Sequence, residues 1–356
     1  MDSSIATSPQ GPSADGAASA GRSTVPPVTA QPSKMKAIVH ERYGRPGVLE
    51  LREVDRPVLQ DDQVLVRVHA SSVNPVEWYG VTGFYFARIG NGLRKPKDTA
   101  VGGDLAGRVE AVGGDVTEFE PGDELFGTSG GGSWAEYAAA RTERLAHKPA
   151  YVSSEEAAAA PVAGLTALQA LRDHGQVQPG QKVLINGASG GVGTFAVQIA
   201  KALGAEVTAV CSTRNVEQAL ALGADRVVDY TQEDFTESAV RHDLMLDIAG
   251  SRSFLACRRV LTPDATFVLI GGRMTYRGLG PLPHVAGTIL KSKGRSQTVK
   301  FFVAKITTED LSFLGELLEA GKLKSVIDRT YPLTEAAEAL AYLGEGHAKG
   351  KVVITV

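Results

Sequence analysis

A glycine-rich turn at residues 187–193 is the pattern in this sequence with the clearest chemical use. It has the sequence Gly-Ala-Ser-Gly-Gly-Val-Gly, follows the apolar run 182–186 and precedes an apolar helix predicted from residue 191. Such a turn leaves backbone N–H groups and the positive end of the helix dipole free to bind phosphate. Because Ala188 replaces the first glycine of the usual Gly-x-Gly-x-x-Gly spacing, a purely structural turn remains an alternative. The candidate pyrophosphate contacts are Ser189, Gly190, Gly191 and Val192.

The strand predicted after this helix indicates which dinucleotide would fit. NAD sites usually place an acid about 20 residues after the glycines, and here no carboxylate lies between Val207 and Val216. The segment instead carries Ser212 and Arg214, and a guanidinium pairs bidentately with phosphate. The pattern therefore predicts NADPH as the cofactor. The alternative is that Arg214 is only a solvated surface residue.

Composition limits the partners and the compartment. The 356 residues include 37 Lys and Arg against 40 Asp and Glu, a net charge of −3, so nothing favours nucleic acid as a partner. Cys211 and Cys257 are the two cysteines, too few for a Cys-rich zinc site. Low cysteine content and the lack of an apolar run of membrane-spanning length predict a cytoplasmic protein without a membrane span.

The predicted elements place the turn in the middle of an α/β fold. Residues 1–34, rich in Ser, Ala, Pro, Thr and Gly, are predicted to be a disordered extension, with a targeting peptide as the alternative. Short strands from 36 to 140 predict a mostly antiparallel β unit. From 181 to 270 strands alternate with helices, including predicted helices 235–241 and 252–261, which is typical of a doubly wound parallel sheet.

Seven ordered motifs along the chain support a family assignment. They are Ala-Ser-Ser-Val-Asn-Pro-Val-Glu at 70–77, Gly-Asp-Leu-Ala-Gly-Arg-Val-Glu-Ala-Val-Gly at 103–113, Pro-Gly-Asp-Glu-Leu-Phe-Gly at 121–127, Pro-Val-Ala-Gly-Leu-Thr-Ala-Leu-Gln-Ala-Leu at 161–171, the 188–193 turn, Leu-Gly-Ala-Asp at 222–225 and Gly-His-Ala-Lys-Gly-Lys at 346–351. Over residues 35–356 the chain resembles the medium-chain dehydrogenase/reductase superfamily, in the zinc-independent quinone oxidoreductase branch that includes zeta-crystallin and the reticulon-interacting oxidoreductase.

The resemblance implies two lobes. A GroES-like β-barrel catalytic domain would span 35–158 and be completed by 304–356, and a Rossmann NADP-binding domain would span 159–303. The active site would lie in the cleft between them, where ligands commonly bind. A homodimer is usual among such relatives.

The resemblance also bears on metal chemistry. Zinc-dependent relatives place a Cys where this chain has Asn74, and a His-Glu pair where it has Gly103 and Asp104. Without those ligands, a Lewis-acid route to polarising a carbonyl is not expected. The implied reaction is hydride transfer from NADPH to an electrophilic small molecule, a quinone or another α,β-unsaturated carbonyl. The alternatives are an enoyl thioester reductase and a non-catalytic NADPH-binding redox sensor.

Three residues are implied to act on the acceptor: Asn74, Tyr79 and Tyr85. Asn74 could hydrogen-bond the acceptor oxygen, and Tyr79 is the better candidate for a phenol donor. Alternatively, Asn74 caps a helix that begins at Pro75, and the two tyrosines are aromatic packing.

Further cofactor contacts are implied by the family's pattern. Besides Ser212 and Arg214, they are Tyr230, Leu269, Gly271, Phe302, His347 and Lys349. Tyr230 could instead be a packing residue at a strand end, and His347 a structural histidine.

A basic segment at 272–300 has no counterpart among these motifs. It contains Arg273, Arg277, Lys291, Lys293, Arg295 and Lys300 and no acid. A solvated face is the ordinary interpretation; binding of an acyl-CoA diphosphate is the alternative.

Overall fold

The structure, a computed structural model, describes residues 34–272 and 282–356, so most of the predicted 1–34 extension and the basic residues Arg273 and Arg277 lie outside the described residues.

The first lobe is a β unit with three helices. Its elements are β1 Lys34–Val39, β2 Glu50–Asp55, β3 Gln63–Val73, α1 Pro75–Thr82, α2 Tyr85–Asn91, β4 Asp104–Val112, β5 Glu124–Thr128, β6 Tyr137–Arg141, β7 Leu145–His147 and α3 Ser154–Ala159.

The second lobe follows Pro161 and contains the parallel sheet. Its elements are α4 Pro161–Gln169, β8 Lys182–Asn186, α5 Gly191–Ala202, β9 Glu206–Cys211, α6 Val216–Ala221, β10 Arg226–Asp229, β11 His242–Asp247, α7 Phe254–Cys257, β12 Leu261–Leu269, α8 Leu282–Ser292 and β13 Thr298–Phe301. The chain then returns to the first lobe through α9 Thr308–Glu319, β14 Ile327–Pro332, α10 Ala336–Gly344 and β15 Lys351–Thr355.

Strand β3 is the centre of the first lobe. The seven-stranded sheet has the order β14-β15-β3-β4-β5-β7, with β6 also paired to β3, so the C-terminal strand β15 lies directly beside β3. Alternation along β3 buries Val64, Val66 and Val68 on one face, which the period of two in a strand requires. The sheet of the first lobe is therefore complete only when the end of the chain has been added.

The second lobe is a six-stranded parallel sheet of order β10-β9-β8-β11-β12-β13. Strand β8 lies inside it, and Val183, Leu184 and Ile185 are all buried because helices cover both faces. The pairing Asn186↔Asp247 aligns the carboxyl ends of β8 and β11 at one edge. This edge is where ligands of such sheets bind.

Small residues allow the two lobes to share one core. Ala157, Ala158, Ala159 and Ala160 are fully buried in a cluster that also contains Phe126 of the barrel and residues of the parallel sheet. Alanine side chains let α3 pack close to β3 and β4, and Pro161 at the first position of α4 separates the two helices. The α/β fold class, with a GroES-like β-barrel and a Rossmann sheet, is confirmed.

Two predicted helices are wrong in extent. The 235–241 prediction corresponds to a three-residue 3-10 turn, Phe235–Glu237, whose start is held by the Asp234 carboxylate accepting from Thr236 N. The 252–261 prediction corresponds to α7 followed by a 3-10 turn, Arg258–Val260. In both places apolar residues at helical spacing pack as single turns between strands.

No helix within 34–272 and 282–356 is long and apolar enough to cross a membrane.

The contact between α1 and α10 gives a test of this packing. A β-carbon on Gly344 would lie 2.0 Å from Cζ3 of the Trp78 indole, which is 1% exposed and cannot move aside. Gly344→Ala should therefore lower the free energy of unfolding by about 1–3 kcal/mol, measured by thermal and urea denaturation. The matched control is Gly80→Ala in α1, where a β-carbon meets nothing within 4 Å and a neutral or slightly stabilising effect is expected. Equal stability of the two variants would contradict the close approach.

Candidate functional site

The glycine-rich turn lies at the carboxyl edge of β8, as the sequence predicts. A β-carbon on Gly193 would be 2.1 Å from the Gly187 carbonyl oxygen, so α5 can begin this close to the strand only with glycine there. At Gly190, by contrast, a β-carbon would meet only the Gly187 oxygen at 3.8 Å, so that side of the turn is open to a ligand. The first N–H groups of α5 have no partner within the helix. The turn thus has the open backbone cradle that a pyrophosphate requires.

The carboxyl ends of β8 and β11 add polar groups that sequence reasoning missed. Asn186 donates through Nδ2 to Asp247 Oδ1 at 2.7 Å, and His284 Nε2 lies 3.4 Å from Asp247 Oδ2. Hydrogen bonding to Asp247 raises the pKa of His284. The sequence signal that could have found Asn186 and Asp247 is a polar residue at the end of each of two apolar strands.

Arg214 and His347 are brought together although 133 positions separate them. The Arg214 guanidinium donates to the His347 carbonyl oxygen at 2.9 Å, and Ser212 Oγ accepts from Asn215 Nδ2 at 3.1 Å. The C-terminal turn that holds His347 therefore lies beside the end of β9. In the same turn, Lys349 N donates to Asp328 Oδ2 at 2.9 Å.

A carboxylate lies near this segment although the sequence has none between Val207 and Val216. Asp229, at the end of β10, pairs in register with Cys211 and accepts from Thr213 Oγ1 at 2.5 Å. That hydrogen bond, with those from Thr231, lowers the pKa of Asp229. Tyr230 follows it and is 54% exposed. Counting about 20 residues from the glycines could not find Asp229, because Asp229 belongs to the neighbouring strand β10.

Leu269, Gly271 and Phe302 have clear packing roles. Leu269 is fully buried in the core, and a β-carbon on Gly271 would lie 2.6 Å from the Ile248 carbonyl oxygen, since β11 and β12 end side by side. Phe302 stacks on His174 with ring centroids 4.1 Å apart. Gly271 therefore lies at the carboxyl edge of the parallel sheet. Phe302 instead packs against the segment that follows α4.

Asn74 lies in a buried polar cluster formed by Ser72, Asn74, Glu77, Asp104 and Lys351. The Asn74 amide donates through Nδ2 to Asp104 Oδ2 at 2.9 Å and accepts at Oδ1 from Lys351 Nζ at 2.5 Å. Ser72 Oγ donates to the same Asp104 oxygen at 2.6 Å, and Glu77 Oε2 accepts from Asn74 N at 2.7 Å. Asn74 does occupy the N-cap position before Pro75, but its amide bonds two other strands.

Burial sets the charges in this cluster. The side chains of Lys351 and Asp104 are 3% and 0% exposed, with Nζ 3.6 Å from Asp104 Oδ2. Burial first, and the Asp104 carboxylate second, raise the pKa of Glu77 to about 8; burial lowers the pKa of Lys351, against the effect of Asp104. A pKa of about 8 leaves Glu77 protonated at neutral pH, and Lys351 Nζ lies within ion-pair distance of Asp104.

Glu77, Asp104 and Lys351 were not singled out by sequence reasoning. A charged residue beginning a buried apolar strand, as Asp104 begins β4 and Lys351 begins β15, is the signal that could have found two of them. The contact between Lys351 and Asn74 spans 277 positions.

The two candidate tyrosines differ in exposure. Tyr79 is half-buried in α1 with its ring 5.2 Å from that of Phe84, and burial raises its pKa, so it remains a phenol able to donate. Tyr85 begins α2 and is 54% exposed. The hydrogen bonds of Asn74 within the described residues go to Glu77, Asp104 and Lys351.

The described residues include no group of three or more His, Cys, Asp or Glu side chains placed to hold a metal ion. At the Asn74 position the amide oxygen is already bonded to an ammonium group.

The ionisation of Glu77 gives a pH-dependent test. A folded-state pKa of about 8, above the ordinary 4.5, contributes stability that is complete below about pH 4.5 and is lost as the pH rises through about 8. The free energy of unfolding should therefore fall with pH across that window by on the order of 1 kcal/mol per unit. Glu77→Gln, which cannot ionise, should flatten this fall in denaturation series measured at several pH values. The control Glu319→Gln, at an exposed position in α9, should retain the fall in the free energy of unfolding. A Glu77→Gln profile parallel to that of the wild type would contradict the raised pKa of Glu77.

Comparison with known proteins agrees with this geometry. Residues 60–150 match the alcohol dehydrogenase GroES-like domain family, and residues 222–354 match the zinc-binding dehydrogenase family. The chloroplastic quinone-oxidoreductase QR1 of Triphysaria versicolor is 33% identical over 90% of this chain and 98% of its own length. The mitochondrial NAD(P)H oxidoreductase RTN4IP1 of Mus musculus is 33% identical over 92% of this chain and 91% of its own.

A solved structure shows the same fold. The quinone oxidoreductase from Coxiella burnetii superposes with a TM-score of 0.80 at 31% identity, over 91% of this chain and 99% of that protein. The barrel, the parallel sheet with its glycine turn and the near full-length similarity lead to one assignment. The chain belongs to the medium-chain dehydrogenase/reductase superfamily, among relatives of the quinone oxidoreductases.

Proposed function

We propose that this protein is a zinc-independent, NADPH-dependent oxidoreductase that transfers hydride to a quinone or another α,β-unsaturated carbonyl. One observation carries the proposal: Lys351 Cδ lies 2.9 Å from the position of a β-carbon on Gly191, while its Nζ bonds Asn74. A turn suited to a pyrophosphate and a buried amide suited to an acceptor oxygen therefore meet at one side chain.

The residues at the carboxyl edge fit a dinucleotide. Backbone N–H groups of 189–192 would hold the pyrophosphate, with Gly190 open on the ligand side. Ser212, Arg214 and Tyr230 would surround the adenosine 2′-phosphate, and His347 and Lys349 would approach from the C-terminal turn. When bound, the reduced nicotinamide supplies the hydride.

The preference for NADPH depends on Arg214. Its guanidinium is exposed and, among the residues the structure describes, donates one hydrogen bond, to the His347 carbonyl, which leaves further N–H groups to pair with a phosphate. The Asp229 carboxylate is occupied by the hydroxyls of Thr213 and Thr231. The mouse relative is named an NAD(P)H oxidoreductase, which supports a pyridine nucleotide.

The side chains near Asn74 favour an already electron-poor acceptor. An amide at 74 and a glycine at 103 are not zinc ligands, so the acceptor would be polarised by hydrogen bonds. Hydride arriving at a quinone or enone places negative charge on the carbonyl oxygen, and Asn74 Nδ2 and the Tyr79 phenol are the donors proposed to stabilise it. The plant relative's name, quinone-oxidoreductase, supports this class of acceptor.

An enoyl thioester reductase is the second candidate, based on the basic segment. Of its described members, Lys291, Lys293 and Arg295 are exposed around the end of α8, where they could receive a CoA diphosphate or simply face solvent, and Lys300 is partly buried in β13. A redox sensor that binds NADPH without turnover is the third.

Two further properties remain proposals. Strand β13 is at the edge of the parallel sheet and ends at the exposed Phe301, and the exposed Val303 follows it; a homodimer would cover this apolar edge. A cytoplasmic location is proposed from the sequence, and the two relatives named above are chloroplastic and mitochondrial proteins.

Arg214→Ala tests the cofactor assignment. Loss of the guanidinium should weaken NADPH binding by about 10-fold or more while changing NADH binding by less than about 3-fold, measured as dissociation constants by fluorescence titration. The control Arg241→Ala removes an exposed guanidinium that bonds only local carbonyls, and both affinities should stay unchanged. Tighter binding of NADH than of NADPH by the wild type would refute the assignment.

Turnover tests the reaction. NADPH oxidation should be observed with a quinone or enone panel and should exceed that with crotonyl-CoA; the reverse order favours the thioester reductase, and binding without turnover favours the sensor.

Tyr79→Phe should lower kcat by about 10- to 100-fold if the phenol is a donor. Tyr151→Phe, at a tyrosine that is 91% exposed, is the matched control. Full turnover of Tyr79→Phe removes the donor role.

A further inference from the structure

Lys351 is a buried cation whose position depends on three parts of the fold. It is the first residue of β15, one position before the pair Val352↔Val73, so it lies beside Asn74 at the end of β3. Its aliphatic chain runs along Gly191, where a β-carbon would be 2.9 Å from Cδ. The ammonium group therefore reaches the Asn74 amide from the direction of the phosphate-binding turn.

The two ends of the Asn74 amide have opposite partners. Oδ1 accepts from Lys351 Nζ at 2.5 Å, and Nδ2 donates to Asp104 Oδ2 at 2.9 Å. Rotating the amide by half a turn would place its carbonyl oxygen against a carboxylate and its NH2 group against an ammonium. Both hydrogen bonds would become repulsions in a site where little solvent screens them. One orientation of the amide is therefore selected.

This orientation leaves one polar hydrogen available. An asparagine NH2 group has two N–H donors, and among the described residues Asp104 Oδ2 is the one acceptor of Nδ2. The second N–H can donate to a ligand. The selected orientation thus presents a donor, whereas the rotated amide would present an acceptor, which a carbonyl substrate cannot use.

We propose that Lys351 is a positioning residue that, acting through Asn74, holds the Nδ2 group as the hydrogen-bond donor to the oxygen of the acceptor. The inference rests on the proposed reductase function for its catalytic consequence. The locked amide itself is a property of the unliganded protein.

Other groups in the cluster support the charge of Asp104 without contacting the Asn74 amide. Ser72 Oγ donates to Asp104 Oδ2 at 2.6 Å, and Val162 N donates to Oδ1 at 3.1 Å. Glu77 reaches only the backbone N–H of Asn74. Ser72→Ala is therefore a matched control: it removes a donor to the same carboxylate and leaves both amide contacts in place.

A double-mutant cycle tests the mechanism. Lys351→Met should lower kcat for the best acceptor by at least about 10-fold, but by less than about 2-fold in an Asn74→Ala background, because a residue acting through Asn74 has nothing left to position. Ser72→Ala should retain most of kcat. Equal losses from Lys351→Met in both backgrounds, or an equal loss from Ser72→Ala, would overturn the proposal.

Lys351→Met leaves Asp104 buried without its cation, so the variant could fail to fold. The double variant Lys351→Met/Asp104→Asn removes both charges, and Oδ1 of the new amide can still accept from Asn74. The effect of Asn74→Ala on kcat is then compared between this double variant and the Asp104→Asn single variant. Circular dichroism checks that each variant is folded.

A second readout does not require turnover. In ¹⁵N-resolved NMR of the wild type, the Asn74 side-chain NH2 signal, assigned by its loss in Asn74→Ala, should exchange slowly with solvent. Protection should fall by at least about 10-fold when Lys351 is replaced and should persist in Ser72→Ala. Unchanged protection without Lys351 overturns the proposal. If protection depends on Lys351 but the wild type reduces no acceptor, the reductase function alone is rejected and the locked amide stands.

Discussion

Asp104 and Lys351 can be buried beside one another only because each finds several partners. Removing two such ions from water costs several kcal/mol each, and their attraction offsets this only when further hydrogen bonds satisfy the remaining atoms. Here Asp104 accepts from Ser72, the Asn74 amide and the backbone of Val162, while Lys351 donates to Asn74. Those partners come from β3 and the start of α4, so the ion pair holds its geometry only in the complete fold.

The same requirement links the two lobes. Strand β15 carries Lys351 and pairs with β3, although the parallel sheet separates the two strands in the sequence. Val162, at the start of the second lobe, donates to a carboxylate of the first. Small residues allow this approach: the alanines of α3 pack on the barrel, and Gly191 leaves space for the Lys351 chain. A larger side chain at position 191 would push the cation away from Asn74.

The two ends of the candidate cleft differ in their physical character. Around Asn74 the polar groups are buried and paired, so their orientations are strongly selected. Around Arg214 the groups are exposed and are held by single hydrogen bonds, such as that to the His347 carbonyl. Exposed charges are screened and mobile. The exposed end is suited to recognising a charged ligand, whereas the buried end is suited to holding reacting groups in place.

Much of the fold followed from local rules in the sequence. The short strands between 36 and 140, the run before the glycines and the alternation of strands and helices from 181 to 270 each predicted elements that the structure contains. Gly193, the last glycine of the predicted turn, lets α5 pack close to β8, because a β-carbon there would lie 2.1 Å from the Gly187 carbonyl oxygen. The wrong helices at 235–241 and 252–261 show the limit of periodicity, which cannot tell a helix from single turns packed between strands.

The polar cluster was decided by the tertiary structure. The sequence by itself determined the superfamily, the glycine-rich turn and Asn74 as a candidate, because those depend on residue types at short spacing. It could not show that Lys351 lies against Asn74, 277 positions away, or that Asp229 of a neighbouring strand reaches Thr213. Ionisation and hydrogen-bond direction depend on burial and on which charges become neighbours, and only strand order and register determine that.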